Sequence, residues 1–299
     1  MELDLATVLL QWAAGGMVFC WVTTRHRVVG LGYGWLLRST YGLLALGALV
    51  AGVVLDDGGG TGALVRDVGA GGVATLAAVG LAVSVARRRA GASAQEQARA
   101  ARAARVAAMA GRGDDAKAEN EAEPEVTADA LVVDREFPPV LDLLAGLAGL
   151  VALSGAAAAV GGPYGQSLAR LVVGALFLGV VTDAMLLGHW YLVQPGLTRE
   201  PIRELVRWLA IIWPFEVLVF CWSVGMVQVL SGSIDDGVNG LFGWIWAACA
   251  VSTIVLAGVT WAALKERQYS AVMAATGLLY LAILTAFGTD LVARAALTP

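Results

Sequence analysis

The chain has 299 residues, of which 58% are apolar and only 15% are charged, and its formal net charge is −4. With a mean hydropathy of +0.72, this composition excludes a soluble globular domain of comparable length. The position of the charges is more informative than their sum, because Lys and Arg cluster in alternate loops between long apolar stretches.

Eight apolar stretches are long enough to cross a bilayer as helices. About 20 residues, at a rise of 1.5 Å each, cross a hydrocarbon core of roughly 30 Å with every backbone hydrogen bond made inside the helix. The predicted spans are residues 5–24, 39–55, 68–86, 140–160, 171–193, 209–230, 238–264 and 271–291. The sequence therefore predicts an all-α, polytopic integral membrane bundle.

A charged linker at residues 87–137 divides the chain into a three-span segment, residues 1–86, and a five-span segment, residues 138–299. The first part of the linker is rich in Ala and Arg and is predicted to be a basic helix, whereas the acidic second part is predicted to be disordered. The basic helix could lie on anionic lipid. We favour a solvated tether, because the helix face opposite the arginines is mostly Ala and offers little to insert.

The distribution of basic residues predicts the orientation. If both termini are extracytoplasmic, only Arg66, Arg170 and Arg294 lie outside, and the remaining 17 of the 20 Lys and Arg residues lie in cytoplasmic segments. We therefore expect a multi-pass protein of a bacterial-type plasma (inner) membrane. The acidic N-terminus lacks the basic region that precedes the core of a cleavable signal peptide.

Two carboxylates at membrane depth are the main candidate functional groups. An ionisable side chain at a helix centre costs about 2.5–3.5 kcal/mol on insertion scales, so such residues face protein or water. Counted from the cytoplasmic ends of two adjacent helices, Asp183 and Glu216 lie at similar depths and could share a proton across the hairpin. Alternatively, each is neutral and structural, bonded to Thr182, Ser223 or a backbone carbonyl.

The two histidines of the chain, His26 and His189, are predicted at the cytoplasmic ends of their spans. His189 could exchange protons with the cytoplasm on behalf of Asp183 and Glu216. In a second hypothesis, His26 and His189 are the two axial ligands of a b-type haem. We favour a simpler interpretation, in which His26 is a loop residue and His189 makes an interfacial hydrogen bond. No metal centre is predicted.

Small residues and charged loops indicate contacts rather than chemistry. Glycines within the spans predict close helix packing. The sequence Val-Phe-Cys-Trp occurs at 18–21 and again at 219–222, which is compatible with a weak inverted repeat. Residues 87–136 and 194–207 could bind a cytoplasmic protein partner, although we favour an ordinary solvated connector for 194–207. The lipid bilayer is the expected environment, and no nucleic-acid partner is expected.

Three classes of function remain open from the sequence, since no phosphate-binding loop, metalloprotease motif or nucleophile elbow is present. The leading hypothesis is a transport or proton-handling membrane component that uses intramembrane carboxylates. The second is a haem- or quinone-associated redox subunit. The third is an assembly or scaffold protein that acts through its linker and charged loop.

Overall fold

The computed structural model describes residues 4–55, 60–88, 100, 103, 137–160, 162–223, 225–266 and 268–297. These residues contain nine helices of five residues or more, and no strand. The helices are α1 (Leu5–Thr24), α2 (Leu31–Leu55), α3 (Thr61–Ala86), α4 (Val140–Ala159), α5 (Tyr164–Val193), α6 (Glu200–Cys221), α7 (Met226–Leu230), α8 (Leu241–Ala263) and α9 (Tyr269–Ala296). Almost all of the predicted linker lies outside the described residues.

Seven helices, namely α1 to α5, α8 and α9, are long and apolar enough to cross a membrane. The eighth, α6, has 22 residues and a length of about 33 Å, but it is less apolar because it carries several charged residues, including Glu216. The predicted class, a polytopic membrane bundle of about eight helices, is confirmed.

Four helices extend beyond the predicted spans, because hydropathy falls wherever a charged residue occurs. Helices α2, α3, α5 and α9 continue past Arg38, Arg66, Arg170 and Arg294, and all four of these arginines are buried in the bundle. The predicted span 209–230 needs the opposite correction, since α6 ends at Cys221 and α7 begins only at Met226. Between them Ser223 adopts a positive φ of 60°, which a continuous right-handed helix does not allow.

Successive long helices run in opposite directions, so the bundle has two ends. We call them the Asp4 end, where α1 begins, and the Arg25 end, where α1 finishes. Helix α1 packs against α2, α4 and α5, while α8 and α9 pack together beside α5 and α6. Helices α1 and α5 therefore form the centre of the bundle, and most residues of both are buried.

Glycines allow the two central helices to touch along their backbones. A Cβ atom placed on Gly15 would lie 1.7 Å from the carbonyl oxygen of Ala175, and one on Gly179 would lie 2.2 Å from the carbonyl carbon of Gly15. The prediction that span glycines mediate close packing is confirmed here and at Gly146 and Gly149, against α1. It is wrong for Gly72, which has no neighbour within 4 Å of such a Cβ atom.

The charged segment 194–207 is bound within the protein at the Arg25 end. Arg199 donates hydrogen bonds to the backbone carbonyls of Glu266 and Gln268, in the turn between α8 and α9. Glu204 accepts a hydrogen bond from Arg25, just after α1. Part of the charge that suggested a docking surface therefore joins α6 to its neighbours.

The turn before α8, at the Asp4 end, is held by Asp236. Its carboxylate accepts hydrogen bonds from the backbone N–H groups of Val238, Gly240 and Phe242. Desolvation acts in the opposite direction, but these donors stabilise the ionised form and lower the pKa of Asp236.

Candidate functional site

Buried and partly buried polar side chains lie along α1 from one end of the bundle to the other, and we call this set the polar column. They occur at four levels, beside Asp4, Gln11, Gly16 and Thr24 of α1. At 1.5 Å per residue, the four levels span about 30 Å along the helix axis. The polar column consists of Asp4, Gln11, Arg38, Tyr41, Arg66, Asp67, Asp142, Asp183, Glu216, Asp290 and Arg294.

The first level is an ion-pair cluster centred on Arg66 of α3. The guanidinium group donates to the carboxylate of Asp4 at 2.6 Å and to that of Asp67 at 2.8 Å. Asp4 also caps α1 by accepting the backbone N–H groups of Ala6 and Thr7. This level fixes the start of α1 against α3.

The second level joins α1, α5, α6 and α9. Asp290 accepts two hydrogen bonds from Arg294, at 2.8 and 3.0 Å, and a longer one of 3.4 Å from Gln11. The position that faces these groups on α5 is Gly174, where a side chain would collide with all three. Glu216 of α6 has Asp290 and Arg294 as its electrostatic neighbours, but neither of its carboxylate oxygens accepts a hydrogen bond from a described residue.

The third level contains Asp183 of α5. One of its carboxylate oxygens accepts a hydrogen bond from the hydroxyl of Tyr41, while the other has no partner among the described residues. The ring of Tyr41 fills the space beside Gly16, and the Tyr33 hydroxyl donates to the backbone carbonyl of Asp183 at 3.3 Å. Thr182, a predicted partner, instead accepts from the Trp12 indole N–H.

The fourth level is a complete ion pair between Arg38 of α2 and Asp142 of α4. Two parallel hydrogen bonds of 2.7 and 2.6 Å join them, and the Thr24 hydroxyl donates to the same carboxylate at 3.1 Å. The ring of Phe137 covers the guanidinium group at 3.8 Å. Both charged side chains are almost completely buried, so this level closes the column near the Arg25 end.

Asp183 and Glu216 both face the bundle interior, and both are fully buried. No hydrogen bond joins them, and each has different neighbours: Tyr41 and Asp142 for Asp183, Asp290 and Arg294 for Glu216. Gly174, at the second level, precedes Asp183 by nine residues of α5, or about 13 Å along the axis. The structure therefore places the two carboxylates at successive levels of one column.

The histidines lie outside the polar column. His189 is exposed on the side of α5, where its Nδ1 atom is 3.2 Å from the hydroxyl of Tyr280. His26 is in the turn after α1, where it accepts a hydrogen bond from the side chain of Arg25 and lies 3.9 Å from Glu204. Each ring thus has its own neighbours, and the b-type haem held by both stays a prediction, for which the visible spectrum of the purified protein is the test.

Sequence reasoning missed most of the column. Nothing in the sequence distinguishes Tyr41 from the other aromatic residues, and Arg38 interrupts an apolar stretch, which predicts a loop there. Only Asp290 and Arg294 carry a readable signal, since their i, i+4 spacing places them together on one helix face. Among the described residues, no group of three or more His, Cys, Asp or Glu side chains could hold a metal ion.

No protein-family model, curated protein or solved structure matches this chain.

Proposed function

We propose that the protein is a transport or proton-handling component of its membrane, with Asp183 and Glu216 as the groups that change charge. This proposal rests on one observation, the missing hydrogen bonds of their carboxylate oxygens. Both side chains are fully buried, yet one oxygen of Asp183 and both oxygens of Glu216 lack a hydrogen bond within the described part of the chain.

Comparison with the structural carboxylates supports this assignment. Asp142 and Asp290 each accept two hydrogen bonds from a guanidinium group, which is how a buried charge is compensated. An uncompensated carboxylate costs several kcal/mol in a low-dielectric interior, and protonation removes most of that cost. A proton can therefore be held at Asp183 or Glu216 at little cost, whereas protonating Asp142 or Asp290 would leave a buried guanidinium group without its partner.

The alignment of these groups also supports transport across the bundle. The carboxylates occupy the two middle levels of the column, between the ion pairs made by Arg66 and Arg38. Tyr41, a hydroxyl donor to Asp183, adds a group that can pass on a proton. His189 is exposed near the last turn of α5, and in this proposal it serves only as a surface exchange group.

Replacing each carboxylate by its amide should separate function from structure. In proteoliposomes with a trapped pH-sensitive dye and an imposed K⁺ diffusion potential, Asp183→Asn and Glu216→Gln should each reduce proton flux by about tenfold or more. The amide keeps the shape of the side chain but loses the exchangeable proton. Each variant should be recovered as folded protein in wild-type amounts.

The matched control is Glu204→Gln, which changes the same residue type on the same helix. Glu204 is half-buried at the Arg25 end and paired with Arg25, so its loss should leave proton flux unchanged. Wild-type flux in both Asp183→Asn and Glu216→Gln would contradict the proposal. Loss of folded protein in both would instead favour a structural network and the scaffold hypothesis.

We propose also that the Arg25 end faces the cytoplasm of a bacterial-type plasma membrane, with both termini outside. The excess of basic residues in the segments at that end supports this orientation. In a background without Cys20, Cys221 and Cys249, an impermeant thiol reagent added to intact cells should label Gly59→Cys and spare Ala118→Cys. The reverse pattern would overturn the orientation.

A further inference from the structure

Glu216 is one of two carboxyl groups that meet beside one arginine in the second level of the column. Asp290 and Arg294 of α9 are its electrostatic neighbours, and both Asp290 oxygens already accept hydrogen bonds from Arg294. The amide oxygen of Gln11 is buried here without a partner in the described residues. Three buried oxygens, one of Gln11 and two of Glu216, can therefore still accept hydrogen bonds. They lie beside Asp290, whose carboxylate is already paired with Arg294.

Few of the helices around Glu216 contribute a charged side chain near it. Helix α9 contributes Asp290 and Arg294, and α5 contributes Arg170, which interacts with Arg294 and donates a hydrogen bond to the backbone carbonyl of Val219. Helix α1 contributes the uncharged Gln11, and neither α7 nor α8 contains an Asp, Glu, Lys or Arg residue. With Glu216 ionised, the two carboxylates share Arg294 between them.

A proton fits this site and a metal cation does not. Hard metal cations require about six oxygen ligands, whereas the described side chains of this level offer three oxygens that are free of hydrogen bonds, those of Gln11 and Glu216. A metal ion would also face the guanidinium group of Arg294, which already occupies both oxygens of Asp290. A proton needs only two acceptors, and on Glu216 it converts the contact with Asp290 into a charge-assisted O–H···O⁻ hydrogen bond.

We propose that Glu216, Asp290, Arg294 and Gln11 form a proton-binding site in which the two carboxyl groups share one proton. This inference rests on the proposed function and deepens it by naming the bound ion, with Asp290 as the second carboxyl group and with Arg294 and Gln11 as positioning residues. On loading, a proton from water forms an O–H bond to Glu216, and the carboxyl pair then has a charge of −1, matched by Arg294. On release, the proton returns to water and Arg294 is left to compensate both carboxylates.

The carboxyl stretch of Glu216 reports the proton directly. The full chain, labelled with ¹³C-carboxyl glutamate and held in lipid nanodiscs, would be titrated from about pH 4 to about pH 10 by infrared difference spectroscopy. We expect one labelled band of a buried, protonated carboxyl group. It should be lost in Glu216→Gln and retained in Glu204→Gln, and replacing choline chloride with sodium chloride should not alter its titration.

The hydrogen bond to Asp290 has its own readout. In Asp290→Asn the neighbouring acceptor is a neutral amide instead of a carboxylate, so the bond weakens and the labelled band should move to higher wavenumber. A band at the wild-type wavenumber would remove Asp290 from the site. If this variant does not fold, the label in the wild-type chain still tests the site, because it requires no substitution.

Two outcomes would overturn the site. One is the absence of a protonated glutamate band over the whole range of pH, and the other is displacement of the band by Na⁺. If Na⁺ displaces the band in a protein whose flux depends on Na⁺ and is abolished in Glu216→Gln, that combined result would refute the proton site but leave the transport proposal intact. A normal band in a protein that shows no flux would leave the site intact and refute the transport proposal.

Discussion

Replacing Arg38 by methionine should lower the free energy of unfolding by about 3–5 kcal/mol, because it leaves a buried carboxylate without its partner. Arg38 makes both of its parallel hydrogen bonds to Asp142, and the two side chains are 3% and 1% exposed. Thermal unfolding in detergent, followed by circular dichroism, measures the loss. The substitution retains most of the side-chain volume, so a cavity contributes little.

The control for this prediction removes both charges. In Arg38→Met combined with Asp142→Leu, no unpaired charge remains, and replacement of a buried ion pair by apolar residues is often neutral or stabilising. The double variant should therefore be more stable than Arg38→Met alone. If the double variant were no more stable than the single one, Arg38 would act through packing against Phe137, and not through charge compensation.

Gly15→Ala should be the most destabilising single-methyl change in the bundle, with a cost of about 3 kcal/mol, at the upper end of the usual range for overpacking. The new Cβ atom would lie 1.7 Å from the carbonyl oxygen of Ala175. Because that atom belongs to the backbone of α5, no change of rotamer relieves the collision, and α1 and α5 must move apart. The same shift would displace Tyr41 from Gly16 and disturb the level that contains Asp183.

Gly72→Ala is the matched control, since it makes the same chemical change within another span. No atom lies within 4 Å of a Cβ atom placed there, so stability should stay within about 0.5 kcal/mol of the wild type or increase slightly through helix propensity. Equal stability losses in Gly15→Ala and Gly72→Ala would contradict the close approach of α1 and α5.

The membrane class and most helices were predictable because each depends on a local property, the length and apolarity of one stretch. Helix ends were less predictable where a charge is neutralised by a distant residue. Arg66, for example, was assigned to an outer loop, yet it lies inside α3 because Asp4 pairs with it across 62 residues of sequence. Hydropathy along the chain contains no information about such a partner.

The candidate site was likewise predictable only in those features that depend on one stretch of sequence. The complete burial of Asp183 and Glu216 follows from the cost of exposing a carboxylate to lipid. Their depths do not follow from counting residues, because α6 begins at Glu200 instead of residue 209 and the two carboxylates lie at successive levels. Their partners do not follow, because the rotation of each helix depends on contacts such as that between Gly15 and Gly179. Tyr41 lies beside Asp183, and Asp290 beside Glu216, only because α2 and α9 pack against the central helices.

We propose that the two incompletely paired carboxylates carry protons through the bundle. The most direct test compares proton flux in proteoliposomes that contain equal amounts of folded wild-type protein or of the double variant Asp183→Asn, Glu216→Gln, under the same imposed membrane potential. We expect a flux above that of protein-free liposomes for the wild type, and a return to the protein-free rate for the double variant. Equal flux in the two preparations would contradict it.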